Sequence, residues 1–135
     1  MNIVSVQSLS DPLRELLTLA FEEATQHRGG PALLDELQDG ASFDELVQKL
    51  VASCSLFVDD IDSPKSFSIV LEDKIWALYV TAGLRRNGQG REMLKALLAL
   101  ANPPVDAVAL PGDRATKSLY ESVGWKARQL TMRGE

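Results

Sequence analysis

A cluster of arginines and glycines between residues 85 and 91 is the part of this sequence best suited to chemistry. Its members are Arg85, Arg86, Asn87, Gly88, Gln89, Gly90 and Arg91. An apolar run precedes the cluster and a helical pattern follows it. The first turn of a helix has unpaired N–H groups and a partial positive charge. Glycines let a ligand approach those groups, and arginines add charge-assisted hydrogen bonds. The cluster therefore predicts a binding site for an anion such as a diphosphate.

Two familiar kinds of phosphate site are excluded by the spacing within this cluster. A P-loop requires a Gly-Lys-Ser/Thr run, which the cluster lacks. A dinucleotide-binding fingerprint requires a third glycine, and Met93 holds that position. A solvated helix start without a ligand is a further interpretation, but cations at that end oppose the helix dipole. The anion site is therefore the favoured hypothesis.

Helices are predicted by apolar spacing and by capping residues. Apolar stripes at 13–24, 46–50 and 93–101 mark three of them, with a short helix at 31–37 and another from Asp113 to about Val123. Ser42 and Glu45 have the spacing of a capping box, and Ser10 is a good cap for the first helix. Gly124 is a natural C-terminal breaker.

Strands are predicted between and after these helices. They cover residues 3–6, 56–58, 67–71, 75–80 and 105–110, with a possible last strand at 125–132. The run from Ile75 to Val80 is apolar at every position, which is typical of a strand covered on both faces. The alternation of strands and helices predicts an α/β layer structure around one sheet. The length of 135 residues suits a single domain, 1–135.

The cluster resembles the central motif of the GCN5-related N-acetyltransferase (GNAT) family. That motif has Gln or Arg, two variable residues, Gly, one variable residue, then Gly or Ala, and Arg85, Gly88 and Gly90 fill its fixed positions. The preceding residues fall where the family has the strand end that pairs with pantetheine. The resemblance thus implies cofactor contacts from Leu78, Tyr79, Val80, Arg85, Arg86, Asn87, Gly88, Gln89, Gly90 and Arg91.

A second resemblance to the same family lies near the C-terminus. The family often has an Asn, then an Ala, then Leu-Tyr-Glu-x-x-Gly-Phe. Tyr120, Glu121 and Gly124 match this pattern, and Trp125 replaces the phenylalanine. Asp113 stands at the Asn position, where the resemblance implies a further cofactor contact. The likeness covers about residues 56–132, and the first 55 residues agree with the family only in the order of elements.

The resemblance implies both a fold and a reaction. The fold is α/β, with a GNAT-like mixed central sheet of about six strands flanked by helices on both faces, in the order β-α-α-β-β-β-α-β-α-β. The reaction transfers an acetyl group from acetyl-CoA, as co-substrate, to a primary amine by direct attack in a ternary complex. A backbone N–H near the end of strand 75–80 would hold the carbonyl oxygen. Tyr120 is the candidate catalytic acid, because a phenol is protonated at neutral pH.

The sequence places no general base by a motif. Carboxylates and one imidazole are candidates by their chemistry alone: Glu72, Asp73, Asp59, Asp60 and His27. A water chain, or an acceptor that arrives neutral, would serve equally. No metal site is predicted, since one histidine and one cysteine do not form a ligand set. The single cysteine, Cys54, is interpreted as a small core residue.

Composition narrows the partners and the location. The formal net charge of −5 argues against nucleic acid and anionic membranes as partners. The chain shows no signal-peptide pattern and no apolar run of membrane-spanning length, so we expect a cytoplasmic protein. A small-molecule or peptide amine is the expected partner, and a homodimer is a further expectation. A CoA-binding sensor or regulatory module without catalysis, and an α/β interaction domain without any cofactor, are the alternatives.

Overall fold

The fold is described from a computed structural model that covers residues 1–132 and 134. The strands are β1 Val4–Ser5, β2 Leu56–Val58, β3 Ser66–Leu71, β4 Lys74–Val80 and β5 Asp106–Ala107. The helices are α1 Asp11–Ala24, α2 Gly30–Gln38, α3 Phe43–Ala52, α4 Gln89–Leu98 and α5 Arg114–Glu121, with a 3-10 turn at Ala82–Leu84 before α4. The predicted α/β class is confirmed.

The five strands form one open sheet in the order β1-β2-β3-β4-β5. Neighbouring strands are antiparallel except for β4 and β5, which are parallel. The described residues thus give the element order β-α-α-α-β-β-β-α-β-α, with three helices between β1 and β2. The described residues form five strands, where the sequence predicted about six.

Apolar side chains form two cores, one on each face of the sheet. Leu56 and Val58 pack with the residues of α1, α2 and α3, whereas the intervening Phe57 packs with α4 and α5. Successive side chains of a strand point to opposite faces, so the helices cover both faces, as predicted. Ile75 lies fully buried among Met93, Leu94 and Leu97 in the second core.

Three helix caps predicted from the sequence are confirmed by hydrogen bonds. The Ser10 hydroxyl accepts from the Leu13 N–H at the start of α1. Ser42 and Glu45 form the reciprocal pair of bonds of a capping box at the start of α3. Asp113 caps α5. These bonds satisfy N–H groups that the helices themselves leave without partners.

An irregularity in the β3–β4 pairing alters the course of β4. Ile69 pairs with Ala77 and Val70 pairs with Ile75, so Trp76 is an extra residue on β4. This is the count of a β-bulge, which bends the bulged strand and increases its twist. Beyond the bulge, β4 pairs with β3 alone among the described strands.

The strand predicted at 105–110 is reduced to the two residues of β5, a correction to the sequence analysis. It pairs with β4 only at Lys74 and Ile75, before the bulge turns β4 away. Val105 is 68% exposed, although its N–H donates to the Asp73 carbonyl at 2.8 Å. The apolar run therefore marks a strand that is shorter and less buried than the pattern indicates.

The last strand suggested at 125–132 is absent, since these residues have no regular secondary structure. A sixth strand would need a neighbour to pair with, and the two residues of β5 offer too short a template. Most of the segment is exposed, but Trp125 packs in the second core.

Cys54 is also exposed, at φ 56° just after α3, so its interpretation as a core residue is wrong. No helix within the described residues is both long and apolar enough to cross a membrane.

Candidate functional site

The connection between β4 and α4 reverses the chain within a few residues. The Leu84 N–H donates to the Thr81 carbonyl at 3.0 Å in the 3-10 turn. Arg86 and Gly88 then adopt left-handed backbone conformations, with φ of 70° and 82°. This region costs a residue with a Cβ about 1–2 kcal/mol, and such strain concentrates at functional sites and tight turns. The turn delivers the chain directly into α4.

Helix α4 begins without a side-chain cap. Gly88 is its N-cap and contributes no side-chain hydrogen bond, whereas Ser10, Ser42 and Asp113 cap α1, α3 and α5. The first intrahelical bond of this turn runs from the Glu92 N–H to the Gly88 carbonyl at 3.0 Å. The amides of residues 89–91 therefore lack partners within the helix. They form a cluster of donors with the partial positive charge of a helix N-terminus.

The two glycines of this turn have different roles. Gly88 provides the left-handed conformation, and a Cβ added to it would meet nothing within 4 Å. A Cβ added to Gly90 would lie 3.4 Å from the Leu119 side chain and 3.5 Å from that of Val80. Gly90 therefore lies where the end of β4, the start of α4 and α5 meet. The space at Gly90 suits a glycine or an alanine, which is what the GNAT motif has at this position.

The C-terminal half of β4 has an open edge next to the turn. The Thr81 N–H donates to the Lys65 carbonyl at 2.9 Å, so these two residues form a hydrogen-bonded pair that continues the antiparallel β3–β4 ladder. Since antiparallel strands alternate bonded and non-bonded pairs, the main-chain groups of Leu78 and Val80 face away from β3. The parallel neighbour β5 pairs only with Lys74 and Ile75. Among the described residues, this edge thus has no strand beside it.

The connection between α1 and α2 lies next to the loop that follows β5. A Cβ added to Gly29 would lie 3.7 Å from Pro111 and 3.9 Å from Leu110. Glu23, near the C-terminus of α1, contacts the last residues of β4. The end of α1 and the connection after it therefore reach both β4 and the segment after β5, on the side where those two strands separate.

Arg85 is held by the protein itself. Its Nε donates to the Val80 carbonyl at 2.9 Å, and a terminal nitrogen donates to Glu23 Oε2 at 2.7 Å. The guanidinium also lies 5.2 Å from the Tyr79 ring centroid. The hydrogen bond that Arg85 donates to Glu23 raises the pKa of the guanidinium above its ordinary value. The side chain predicted to contact phosphate is thus directed at β4 and α1.

Tyr79 belongs to the same group of side chains. Its hydroxyl donates to Glu23 Oε1 at 2.9 Å, and its ring stacks on Phe67 at 5.6 Å between centroids. Burial, then the hydrogen bond to Glu23, raises the pKa of the phenol. Its main chain pairs with Phe67 of β3. Sequence reasoning missed Glu23, because a carboxylate near the end of an amphipathic helix has no local signal of a partner 62 residues away.

Tyr120 is one of two residues, with Ser5, whose side-chain hydroxyl is buried without a hydrogen bond among the described residues. Its side chain is 6% exposed, and its hydroxyl has no hydrogen-bond partner among the described residues. The ring stacks on Trp125 at 5.7 Å, with 17° between the planes. Burial, then the charge of Asp113, raises the pKa of the phenol, so its proton is retained throughout the neutral range. The adjacent Leu119 packs on Gly90.

Asp113 acts as the cap of α5. Its Oδ1 accepts from the Thr116 N–H at 3.2 Å and its Oδ2 from the Thr116 hydroxyl at 2.7 Å. Its carboxylate raises the pKa of both Tyr120 and Arg85, so it lies within electrostatic range of each. The structure therefore brings Asp113 near the site, with each of its oxygens already accepting a hydrogen bond.

Gln89 is directed into the protein. Its side-chain nitrogen donates to Asp59 Oδ2 at 3.1 Å and to the Ser66 hydroxyl at 3.0 Å. By contrast, the side chains of Arg86, Asn87 and Arg91 are exposed, and the described part of the chain gives them no hydrogen-bond or ion-pair partner. These three side chains and the amides of residues 89–91 are the free donors at the turn.

The candidate general bases lie in different places. Glu72 and Asp73 form the β3–β4 turn, at the opposite end of β4 from the glycines. Asp59 accepts from Gln89, and Asp60 accepts from the N–H groups of Asp62 and Ser63. His27 is half-buried in the α1–α2 connection. None of these groups forms a hydrogen bond with the Tyr120 hydroxyl.

Two surface hollows of about 340 and 430 Å³ lie along α1, outside the β4–α4 turn. Within the residues described, no group of three His, Cys, Asp or Glu side chains is placed to hold a metal ion.

Comparisons with protein-family models, curated proteins and solved structures found no match.

Proposed function

We propose that the protein is an acetyl-CoA-dependent N-acetyltransferase that acts on a primary amine. The observation that carries this proposal is the start of α4 at Gly88, where uncapped amides lie directly beside the open edge of β4. A strand edge can bind an extended pantetheine arm through main-chain hydrogen bonds. A helix N-terminus can bind the diphosphate that follows it. The two features adjoin, as the covalent structure of coenzyme A requires.

The residues at the turn suit the negative charge of the coenzyme A diphosphate. The N-cap Gly88 places no side chain beside the amides of residues 89–91. Arg86 and Arg91 are exposed cations at the same turn, available for charge-assisted bonds to phosphate oxygens. Arg85 supports the turn by bonding to the Val80 carbonyl. In this proposal the diphosphate is bound mainly by amides, with Arg86 and Arg91 as auxiliary cations.

Acetyl-CoA supplies the activated acetyl group, and the chain supplies the groups that act on it. The outward N–H of Leu78 or of Val80 is a donor for the carbonyl oxygen of the acetyl group. In the transfer, the bond from the amine nitrogen to the carbonyl carbon forms and the carbon–sulfur bond breaks. Tyr120 gives its phenolic proton to the departing sulfur. The amine loses a proton to water, from which Tyr120 is reprotonated.

The buried Tyr120 hydroxyl supports this assignment. A buried hydroxyl without a partner costs about 1–3 kcal/mol relative to a bonded one. Orphaned groups of this kind often have a catalytic role or an absent ligand as their explanation. The high pKa of the phenol keeps its proton in place at neutral pH, as an acid requires. The preceding residue, Leu119, lies 3.4 Å from a Cβ added to Gly90, so the helix that carries Tyr120 adjoins the turn.

A CoA-binding sensor or regulatory module is the second candidate. It is favoured by the stacking of Trp125 over Tyr120 and by the lack, among the described residues, of an unpaired carboxylate at the end of β4, where Glu23 already accepts two hydrogen bonds. Both candidates need the same binding turn. They differ in whether an amine acceptor reaches the thioester.

Thiol release from acetyl-CoA in the presence of a panel of amines tests the transferase. The panel includes small amines, amino acids and peptides, because the acceptor is proposed only as a small-molecule or peptide amine. We expect at least one amine to accelerate thiol release, and Tyr120→Phe to reduce that acceleration. Binding of acetyl-CoA without turnover on any amine would favour the module instead. A cytoplasmic location and a homodimer remain predictions from the sequence.

A further inference from the structure

The side-chain amide of Gln89 has both of its N–H groups engaged inside the protein. They donate to Asp59 Oδ2 at 3.1 Å and to the Ser66 hydroxyl at 3.0 Å. Gln89 is the first residue of α4, and it is half-buried. Its side chain therefore links the start of α4 to the sheet, and the nitrogen of its side-chain amide has no hydrogen left to donate to a ligand.

Asp59 is itself fixed by the loop between β2 and β3. Its other oxygen, Oδ1, accepts from the N–H groups of Lys65 and Ser66 at 3.0 and 3.2 Å. Ser66 is fully buried and pairs with Val80 at the end of β4. The two acceptors of Gln89 thus belong to a loop and a strand that are rigidly connected to the open edge of β4.

This link replaces the cap that α4 lacks. A serine or aspartate at the N-cap would hold the helix start, but its oxygen would consume an amide of the first turn. Gly88 leaves those amides free, but it has no side chain that could fix the start of the helix. The side-chain hydrogen bonds of Gln89 to Asp59 and Ser66 fix the start of the helix and use none of the main-chain amides. The first turn is therefore both anchored and available.

We propose that Gln89 is a positioning residue for coenzyme A rather than a contact. Through Asp59 and Ser66 it fixes the first-turn amides of α4 relative to the edge of β4, so that the diphosphate and the pantetheine arm of one molecule are bound together. The inference rests on the proposed function. It replaces the direct cofactor contact that the sequence motif implies for Gln89 with an indirect one.

The test measures the dissociation constant of coenzyme A by calorimetry for four proteins. Gln89→Met keeps the length of the side chain and removes both donors, and we expect it to weaken binding about tenfold, since a small misplacement of a binding group is costly. Gln48→Met makes the same change at an exposed position of α3 and serves as the matched control. We expect the control to bind like the original protein.

Asp59→Asn tests whether Gln89 needs only a hydrogen-bond partner at position 59 or also its negative charge. The asparagine amide can still bond to Gln89, with the amide of Gln89 turned over, so we expect the dissociation constant to stay within about twofold. A role that depends on the negative charge of Asp59 would not spare this variant. If Gln89→Met does not fold, Ser66→Ala removes one of the two acceptors instead, with an expected loss of about threefold.

Two results would overturn the inference while leaving the proposed function intact. One is equal affinity of the Gln89→Met and Gln48→Met proteins. The other is an Asp59→Asn protein weakened as much as Gln89→Met. Failure of the unaltered protein to bind coenzyme A would instead refute the proposed function, and this inference with it.

Discussion

At the scale of single residues, the two tyrosines of this chain make opposite uses of a hydroxyl group. Tyr79 donates to Glu23, whereas Tyr120 is buried with no partner among the described residues. A hydrogen bond contributes about 0.5–1.5 kcal/mol, and an unsatisfied buried group costs a comparable amount. The same substitution at the two positions should therefore change stability in opposite directions.

We predict that Tyr120→Phe raises the free energy of unfolding by about 1 kcal/mol, because it removes a buried hydroxyl without a partner. Tyr79→Phe, the matched control, should lower it by about 1 kcal/mol through loss of the bond to Glu23. Urea denaturation of both variants measures the difference. A loss of stability in Tyr120→Phe equal to that in Tyr79→Phe would mean that the Tyr120 hydroxyl is hydrogen-bonded.

The two phenols also predict a pH dependence of stability. Burial is the largest cause that raises the pKa of each tyrosine above its ordinary value of 10.0 in the folded protein. The unfolded chain releases these protons near pH 10, so the folded state holds more protons above that pH. The stabilisation is present below about pH 10 and is lost as the pH rises further.

Ultraviolet titration of tyrosinate checks this prediction. The chain has only two tyrosines, so Tyr120→Phe leaves Tyr79 as the sole signal. We expect the pKa of Tyr79 to lie above the ordinary value of 10.0, and Glu23→Gln to lower it, because Glu23 raises it and Arg85 lowers it. Glu22→Gln is the control for a lost negative charge on the same helix. Equal curves for the two glutamine variants would contradict the role of Glu23.

At the scale of elements, the start of α4 predicts an unusual tolerance. Gly90 is the second residue of the helix, and a Cβ there would make ordinary contacts of 3.4 and 3.5 Å with Leu119 and Val80. We predict that Gly90→Ala raises the free energy of unfolding by about 0.5–1 kcal/mol, since alanine is the better helix former. Coenzyme A affinity should stay unchanged in a binding titration. A loss of stability would mean that the junction between β4, α4 and α5 cannot accept a methyl group.

The short strand β5 gives a second prediction at this scale. Val105 is 68% exposed, whereas Ile75, beside β5, is fully buried. Val105→Ser should therefore change the free energy of unfolding by less than about 0.5 kcal/mol, and Ile75→Ala should lower it by about 2–5 kcal/mol. Chemical denaturation of both variants tests this. A large cost at Val105 would restore the longer buried strand that the sequence pattern predicts.

The elements differ in how well local sequence predicts them. Ser42 and Glu45 bond to each other's main chain within one turn, so their spacing alone predicts the start of α3. β5 and the segment after Gly124 depend instead on a pairing partner, and the bulge at Trp76 withdraws β4 from that role. Apolar alternation records a preference for strand, but it carries no information on whether a neighbour is present.

The site shows the same contrast between local and distant determinants. The glycines at 88 and 90 predict the uncapped helix start correctly, because the turn is a property of consecutive residues. The partners of Arg85 and Gln89 are Glu23 and Asp59, at separations of 62 and 30 residues, and no local pattern predicts them. Sequence therefore predicted where the donors lie, and the fold decided which of them are free.

At the scale of the whole molecule, two helical layers cover the faces of one sheet, and the sheet opens where β4 and β5 separate. The first core lies under α1, α2 and α3, and the second lies under α4 and α5. The opening, the uncapped start of α4 and the end of α1 meet at the same end of β4. This arrangement is the physical basis of the coenzyme A site that we propose.

The most direct test of this account compares acetyl-CoA binding to the unaltered protein, Gly88→Val and Gly40→Val. Both glycines have nearly the same left-handed φ, 82° and 83°, and an added Cβ meets nothing within 4 Å at either. The backbone strain of the two variants is therefore matched at about 1–2 kcal/mol, and only Gly88 adjoins the first-turn amides of α4. We predict that Gly88→Val weakens acetyl-CoA binding at least about tenfold, by placing a side chain over the amides, while Gly40→Val binds normally. Equal affinities of the two variants, or no binding by the unaltered protein, would contradict the account.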